Sequence, residues 1–336
     1  MNTFLQQLRA RATQGFVRTI IFPEAQDERV VAAAAILREE NIVRPLFVGT
    51  SQDAARIREL GFDCAQIEEE RANELEHILA DARSSKIGTK DELTSDAARL
   101  LAHDPLFYAM YLLRLDSGDG LVAGAVRPTA DVVRAGLWLI GKAAGIRTVS
   151  SSFYMVLPSF RGTASEEVLS FADCAVVPAP TAEQLADIAI AAARAREKIV
   201  GDEPRVALLS YSTKGSGGDD SSIAVVRSAL QIVRKRRPEI IIDGELQVDT
   251  ALIQSIANRK DPDGFLAGLA NVLIFPSLDA ANIAYKLVAH LVPGAQALGP
   301  LLQGMAKPMS DLSRGASVQD IVSIATMVAS QASKRD

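Results

Sequence analysis

The strongest constraint on what this chain can fold into is an alternation. Short runs rich in Val, Ile, Leu and Phe take turns with longer stretches whose apolar residues recur at helical spacing. Thr19–Phe22 (TIIF) predicts a strand closed by Pro23, and Asp27 opens a helix whose apolar stripe begins at Val30 and Val31. Pro45–Gly49 predicts the next strand, with Ser51 as the N-cap of the helix that follows. A strand at Leu121–Gly124, a helix over Ala130–Lys142 and a strand near Arg147–Ser151 continue the pattern. The second half predicts strands at Cys174–Val177, Val206–Ser210, Glu239–Ile242 and Val272–Phe275. Its helices fit Ala182–Ile199, Ser221–Lys235, Thr250–Ala257 and Ala280–His290. Such alternation means βαβ units and a parallel, helix-covered sheet, so the fold class is α/β. Ligands in these sheets bind beyond the carboxyl ends of strands, which makes the loops that follow strands the place to look for chemistry.

The 336 residues predict about two domains at roughly 150 residues each. A chain of this size can bury about three quarters of its surface without disulfide or metal staples. Apolar residues at 48% and charged residues at 23% exclude disorder. With 36 Lys and Arg against 41 Asp and Glu, the net charge of −5 argues against a nucleic-acid partner. An anionic ligand therefore has to be held by local arginines and backbone amides. Cys64 and Cys174 make no disulfide framework and no zinc quartet, so no metal is expected. The opening MNTFLQQLRARATQGF lacks a signal-peptide core, and the longest apolar stretch, Val30–Leu37, is far short of a membrane span. A cytoplasmic protein without a membrane partner is the expectation.

Several motif matches fail on context. Gly136–Ala143 (GLWLIGKA) fits a phosphate loop through its lysine, but Ala143 stands where a magnesium-binding hydroxyl belongs, and Trp138–Ile140 continue a helix face. Gly118, Gly120 and Gly124 precede and occupy a strand, whereas a dinucleotide fingerprint follows one. His77, His103 and His290 are scattered, with no zinc-protease spacing. Asp243, Glu245 and Asp249 in DGELQVD fit either a magnesium site or capping and turn chemistry, and capping is the favoured reading. Pro158–Ser165 and Val292–Gly299 are turn-rich and suit crossings between domains.

Two loops have the composition of anion sites. Tyr211–Asp220 (YSTKGSGGDD) follows a strand: its glycines admit close backbone approach, Ser212, Thr213 and Ser216 offer hydroxyls, and Lys214 offers charge. A merely turn-forming loop explains the same residues equally well. In Gly299–Asp320 (GPLLQGMAKPMSDLSRGASVQD), Ser317 caps the last helix, with Ser313, Arg314 and Gly315 just ahead of it. A guanidinium and a hydroxyl beside a helix N-terminus suit an oxyanion. By spacing alone, a capping box of Ser317 and Asp320 is the stronger reading.

At this segment the chain resembles the phosphate acetyltransferase (phosphotransacetylase) family, over nearly its whole length. The stretches that carry the resemblance are KPMSDLSRGASVQDIV, LLSYSTKGSGG, DGELQVDTAL, ANVLIFPSLDAANIAYKL, FADCAVVPAPTAEQLADIAI and GAVRPTADVVRAGL, in that family's order and spacing. RPLFVG and HDPLFYAMYLL add to it in the N-terminal third. The resemblance implies reversible acetyl transfer between coenzyme A and inorganic phosphate, with acetyl-CoA as substrate and no metal or tightly bound cofactor. It implies two three-layer α/β/α domains with mainly parallel sheets, the active site in the cleft between them, and a homodimer. Residues 1–150 with 292–336 would form domain I, and 151–291 an inserted domain II.

Carried over motif by motif, the resemblance makes Ser313 and Arg314 the catalytic pair and Asp320 the base. Arg134 and Arg83 become phosphate clamps, and Thr129, Ser212, Thr213, Lys214, Gly215 and Ser310 substrate contacts. Three places depart from the family pattern: Ala316 replaces a frequent cysteine, Arg127–Pro128 replaces His-Thr or His-Ser, and Ser310 replaces asparagine. These bear on acyl-chain preference and phosphate affinity more than on the reaction. Rival readings are a butyryl or propionyl transferase, a non-catalytic acetyl-CoA-sensing module, and a dehydrogenase, the last disfavoured by the lack of a fingerprint in the right context.

Overall fold

The computed structural model describes residues 3–13, 16–84, 93–162 and 165–332. In chain order, the first elements are α1 Phe4–Ala12, β1 Arg18–Phe22, α2 Glu28–Glu39, β2 Val43–Gly49, α3 Ser51–Glu59, β3 Asp63–Gln66 and α4 Glu69–Ser84. There follow α5 Ser95–Ala102, α6 Pro105–Arg114, β4 Gly120–Ala123, α7 Thr129–Leu139, β5 Ser150–Leu157, β6 Glu167–Ala172, α8 Ala182–Ile199 and β7 Arg205–Leu209. The last are α9 Ser221–Arg236, β8 Ile241–Leu246, α10 Val248–Leu252, α11 Gln254–Lys260, β9 Val272–Ile274, α12 Leu278–Leu291, β10 Gln296–Gln303, β11 Met309–Asp311 and α13 Val318–Gln331. Among the described residues no helix is long and apolar enough to cross a membrane.

The chain divides into two compact units: Met1–Leu8 with Ala144–Gly304, and Arg9–Ala143 with Met305–Asp336. Relative to the boundaries expected from sequence, β10 goes with the middle of the chain. The chain therefore leaves the middle unit near Gly304, not in the turn-rich stretch at Val292–Gly299. Pro158–Ser165 lies within that same unit, around a short 3-10 turn at Phe160–Gly162.

In the Arg9–Ala143/Met305–Asp336 unit the strand order is β3-β2-β1-β4-β11, and every pair is parallel. Helices α2 and α13 pack on each other and on β1, β2 or β4, while α6 packs on those same strands and on α7. Two helix pairs cannot cover the same strands from one side, so the sheet is buried on both faces. Helix α6 follows from its sequence: Asp104 caps it by accepting from the Leu106 amide at 2.9 Å, and Pro105 takes the first position, where no amide is needed. Every residue from Leu106 to Leu113 is buried, the signature of a helix apolar on all sides.

In the Ala144–Gly304 unit the order is β10-β5-β6-β9-β7-β8, with β5 antiparallel to both neighbours and the remaining pairs parallel. Alternation along β7 sorts its side chains between two cores. Val206 and Leu208 face Val226, Val272 and Leu185, whereas Ala207 and Leu209 face Phe153, Leu273 and Ala281. Both faces are helix-covered, so this unit too has three layers.

Some sequence expectations need correction. Thr50, not Ser51, caps α3, because its hydroxyl accepts from Asp53 N while the Asp53 carboxylate accepts from Thr50 N. Cys174–Val177 is not a strand: the strand lies earlier, at Glu167–Ala172, and the Asp173 carboxylate gathers the amides of Ala175, Val176 and Val177 into a turn. Thr250–Ala257 is not one helix, since extended backbone at Ile253 separates α10 from α11. The strand expected near Arg147–Ser151 runs instead over Ser150–Leu157. Strands β10 and β11 had no counterpart in the sequence reading.

Candidate active site

Strands β1, β4 and β11 are neighbours, and polar contacts sew together the three loops that leave their carboxyl ends. After β1, the Glu24 carboxylate accepts from the amides of Ala125, Val126 and Arg127 at 2.8, 2.8 and 3.0 Å. At the start of α2, Arg29 pairs with the N-cap Asp27 at 2.7 Å and donates to Ala125 O at 3.0 Å, Arg314 O at 2.8 Å and Ala316 O at 2.9 Å. Hydrogen bonding to Arg29 is also the main reason the Asp27 carboxyl titrates below its ordinary range. One guanidinium thus fixes the backbone at Arg314 and just after it, on either side of Gly315.

The turn after β4 packs closely on β11. Leu312 N donates to Ala123 O at 2.6 Å, and Gly124 has a φ of +102°. A Cβ on Gly124 would lie 2.2 Å from Asp311 Oδ1 and 2.6 Å from Leu312 N, so only glycine permits this approach. At the end of the turn the Arg127 guanidinium is paired with Asp104. Pro128 then begins α7 without a side-chain cap, and the Thr129 hydroxyl donates to Asp311 Oδ2 at 2.6 Å.

Held from behind in this way, Ser313, Arg314 and Gly315 are exposed. The Ser313 hydroxyl accepts from Gly315 N at 3.3 Å, and the Arg314 side chain extends from a backbone that Arg29 holds. Ser317 and Asp320 form the expected capping box: Asp320 Oδ2 accepts from Ser317 N and Oγ, both at 2.8 Å. Both of these bonds fall on the same oxygen of Asp320. A hydroxyl, a guanidinium and an acid share one segment, and β11, which leads into it, is bonded through Asp311 to the start of α7, a helix without a side-chain cap; that set can polarise an acyl phosphate.

The other candidate loop is built differently. Ser212 and Thr213 are buried, and the Ser212 hydroxyl and Gly215 amide donate to Glu245 Oε1 at 2.9 and 2.8 Å. Arg227 adds a two-pronged contact to the same carboxylate at 2.8 and 3.1 Å. Burial, the largest single influence on Glu245, pushes its pKa up; Arg227, Gly215 and Ser212 together outweigh it and hold the group at about 2. Lys214, at a φ of +46°, bonds Asp243 at 2.5 Å, and Arg234 reaches the same carboxylate at 3.2 Å. The loop does grip an anion, and the anion is the chain's own Glu245. The favoured capping reading of DGELQVD is corrected accordingly: Asp243 and Glu245 are ion-paired, and Asp249 binds Lys260 at 2.9 Å, while Gln247 stands at the N-cap of α10 without a side-chain cap bond.

Residues 3–329 match the family described as phosphate acetyl/butaryl transferase. The chain belongs to that family. It is 39% identical to a phosphate acetyltransferase of Acetivibrio thermocellus over 98% of both chains. It is 41% identical to one from Treponema pallidum, over 99% of this chain and 100% of that one. The crystal structure of a phosphotransacetylase from Streptococcus pyogenes superposes with a TM-score of 0.85 at 36% identity, covering 98% of this chain and 97% of that one.

Of the residues singled out from sequence, Ser313, Arg314, Asp320, Thr129 and Ser310 lie on or beside the three sewn loops of one unit. Ser310 is fully buried within β11. Arg134 is exposed on α7, one turn from its start, and pairs with Asp131 at 2.8 Å. Arg83 belongs to the last turn of α4, and its side chain lies outside the described residues. Ser212, Thr213, Lys214 and Gly215 belong to the other unit. The sequence reading missed Glu24, Arg29, Asp104 and Asp311. The signal for the first two was position: PEAQDER directly follows a predicted strand, where the carboxyl-end rule already pointed. Asp311 gave no signal, because its partner Thr129 is 182 residues away.

Proposed function

We propose that this chain is a phosphate acetyltransferase that moves an acetyl group reversibly between coenzyme A and inorganic phosphate, by direct attack in a ternary complex. The thiol sulfur of coenzyme A bonds to the acetyl carbonyl carbon of acetyl phosphate, the acyl C–O bond breaks, and phosphate leaves with the electron pair. Arg314 stabilises the carbonyl oxygen and the departing phosphate while Ser313 donates a hydrogen bond. Removing one such donor from a site of this kind typically costs roughly 3–4 kcal/mol. Arg134 and Arg83 clamp phosphate oxygens as planar forks, which lysine could not do.

Asp320 takes the thiol proton. A free thiol titrates near ~8.5 and a free carboxylate near ~3.9, so complete transfer ahead of bond formation is uphill by roughly 6 kcal/mol. The proton therefore moves as the sulfur–carbon bond develops. With Oδ2 engaged by Ser317, the proton goes to Oδ1. In the other unit, Ser212 and Gly215 spend their donors on Glu245 and Lys214 its ammonium on Asp243, so these residues and Thr213 keep that loop's shape. Ser310 and Thr129 support the site from beneath.

The observation that carries this reading is the Ser313–Arg314 segment, tied by its backbone to Arg29 with both side chains left for a ligand. The reading extends to a cytoplasmic homodimer acting in acetate metabolism, with no tightly bound cofactor. Two features support it: both cysteines are free and buried, and α12 exposes Ile283, Leu287 and Leu291 along one face, a stripe suited to self-pairing about a two-fold axis. The test is formation of acetyl-CoA from acetyl phosphate and coenzyme A by purified protein, run with chelator and with arsenate as a drain. Failure to form acetyl-CoA, or formation insensitive to arsenate, would refute it. Comparing kcat/KM across acyl phosphates fixes the chain preference, since each methylene is worth only ~1–3 kcal/mol.

A further inference from the structure

Asp311 has no place in the mechanism above, yet its surroundings are unusual. The residue is 1% exposed, at the carboxyl end of β11 and two residues before Ser313. The Thr129 hydroxyl donates to Oδ2 at 2.6 Å, while Oδ1 is buried with no hydrogen-bond partner and faces the bare Cα of Gly124. A buried carboxylate oxygen without a donor is costly, and a neutral carboxyl avoids most of that cost. The elements packed around it carry Glu24, Arg29, Asp131 with Arg134, Arg314 and Asp320. Glu24 adds like charge. Arg29 spends its guanidinium on Asp27 and three carbonyls, and Arg134 is paired with Asp131.

We propose that Asp311 is a positioning residue of the transfer site: as the neutral acid it seats the Ser313–Arg314 loop on the turn after β4 and on Thr129, and bound phosphate favours that protonated form. Loss of the proton puts an uncompensated charge beneath the loop, beside Glu24. The carboxyl's titration agrees, since burial, only partly offset by Thr129, pushes it up to about 7. An added anion at Arg314 and Arg134 pushes it further, so phosphate binding near neutral pH takes up a proton, and by linkage protons tighten phosphate. This inference rests on the phosphate site proposed above.

The test compares wild type with Asp311→Asn, which mimics the neutral acid, from about pH 5.5 to about pH 9. Phosphate's own ionisation is common to both enzymes and cancels in their ratio. The kcat/KM of wild type for phosphate, divided by that of Asp311→Asn, should fall at least about fivefold between about pH 6.5 and about pH 8.5. Thr129→Val removes the one donor to the carboxyl and should move the inflection to higher pH. A flat ratio, or an unmoved inflection in Thr129→Val, overturns the proposal. Carbon-13 spectra of aspartate-labelled protein supply a readout independent of turnover. The resonance missing from Asp311→Asn should titrate near neutrality and move upward in pH with inorganic phosphate. Titration in the ordinary carboxylate range overturns the inference about Asp311. An inactive wild type whose Asp311 still titrates near neutrality overturns the assigned reaction instead.

Discussion

Glu245 and Asp311 are almost equally hidden, at 2% and 1% exposure, and each underlies a loop that follows a strand of its unit. Glu245 is held at about 2 and Asp311 at about 7. Burial acts on both in the same direction, and the donors and charges that reach each group set them further apart. Glu245 receives a guanidinium, a backbone amide and a hydroxyl; Asp311 receives one hydroxyl and feels Glu24. What burial does to a carboxylate is decided by how many hydrogen bonds reach it. The loop over Glu245 turns its donors inward onto that carboxylate. The loop beyond Asp311 is fixed by its backbone and exposes the side chains of Ser313 and Arg314.

The pH dependence of stability should separate the two acids most sharply. Asp311 titrates higher folded than unfolded, so its contribution is full below the unfolded value of 3.8 and is lost as pH rises through about 7. Asp311→Asn should therefore gain on wild type by up to roughly 4 kcal/mol between about pH 4 and about pH 8, measured by urea unfolding. Glu245 has the opposite sign: its contribution is present above 4.5 and is lost as pH falls through about 2. Glu245→Gln should thus be less stable than wild type at neutral pH by roughly 3 kcal/mol, with the gap closing in acid. Parallel slopes for the two variants would break the comparison.

Activity should divide the loops the other way. Arg314→Ala should lower kcat by about a hundredfold or more while changing KM and melting temperature little. A change confined to KM would reassign Arg314 to binding alone. Asp320→Asn should have the smallest effect of the four, a loss of up to about a hundredfold in kcat. Near-normal turnover there would leave Asp320 as the helix cap it visibly is and nothing more.

The sequence made the layered fold legible because the apolar runs of β1, β2, β4, β7 and β9 are continuous and bounded by turn residues. Helix α8 was readable to the residue, since Thr181 and Gln184 form a capping box at its start. Strand β10 was hidden by the Gly299–Pro300 pair inside it, and β11 by its three-residue length and by Pro308 just before it, all of which look like loop. At the site, Ser313, Arg314 and Asp320 were legible because they are adjacent in sequence and match a family motif. Their supports were not, since Glu24, Arg29 and Asp311 act through partners roughly a hundred residues or more away. The Lys214 loop was half legible: its composition announced an anion site without saying that Glu245, 31 residues on, would fill it.

Arg29 grasps carbonyl oxygens, and every amino acid carries one. Gly124 apart, the bonds it makes are therefore indifferent to which side chains decorate the braced turns, and Arg127, Pro128, Ser310 and Ala316 sit on or next to that scaffold. A lineage can change the side chains on these turns one substitution at a time, and the brace that holds the Arg314 backbone never has to be rebuilt.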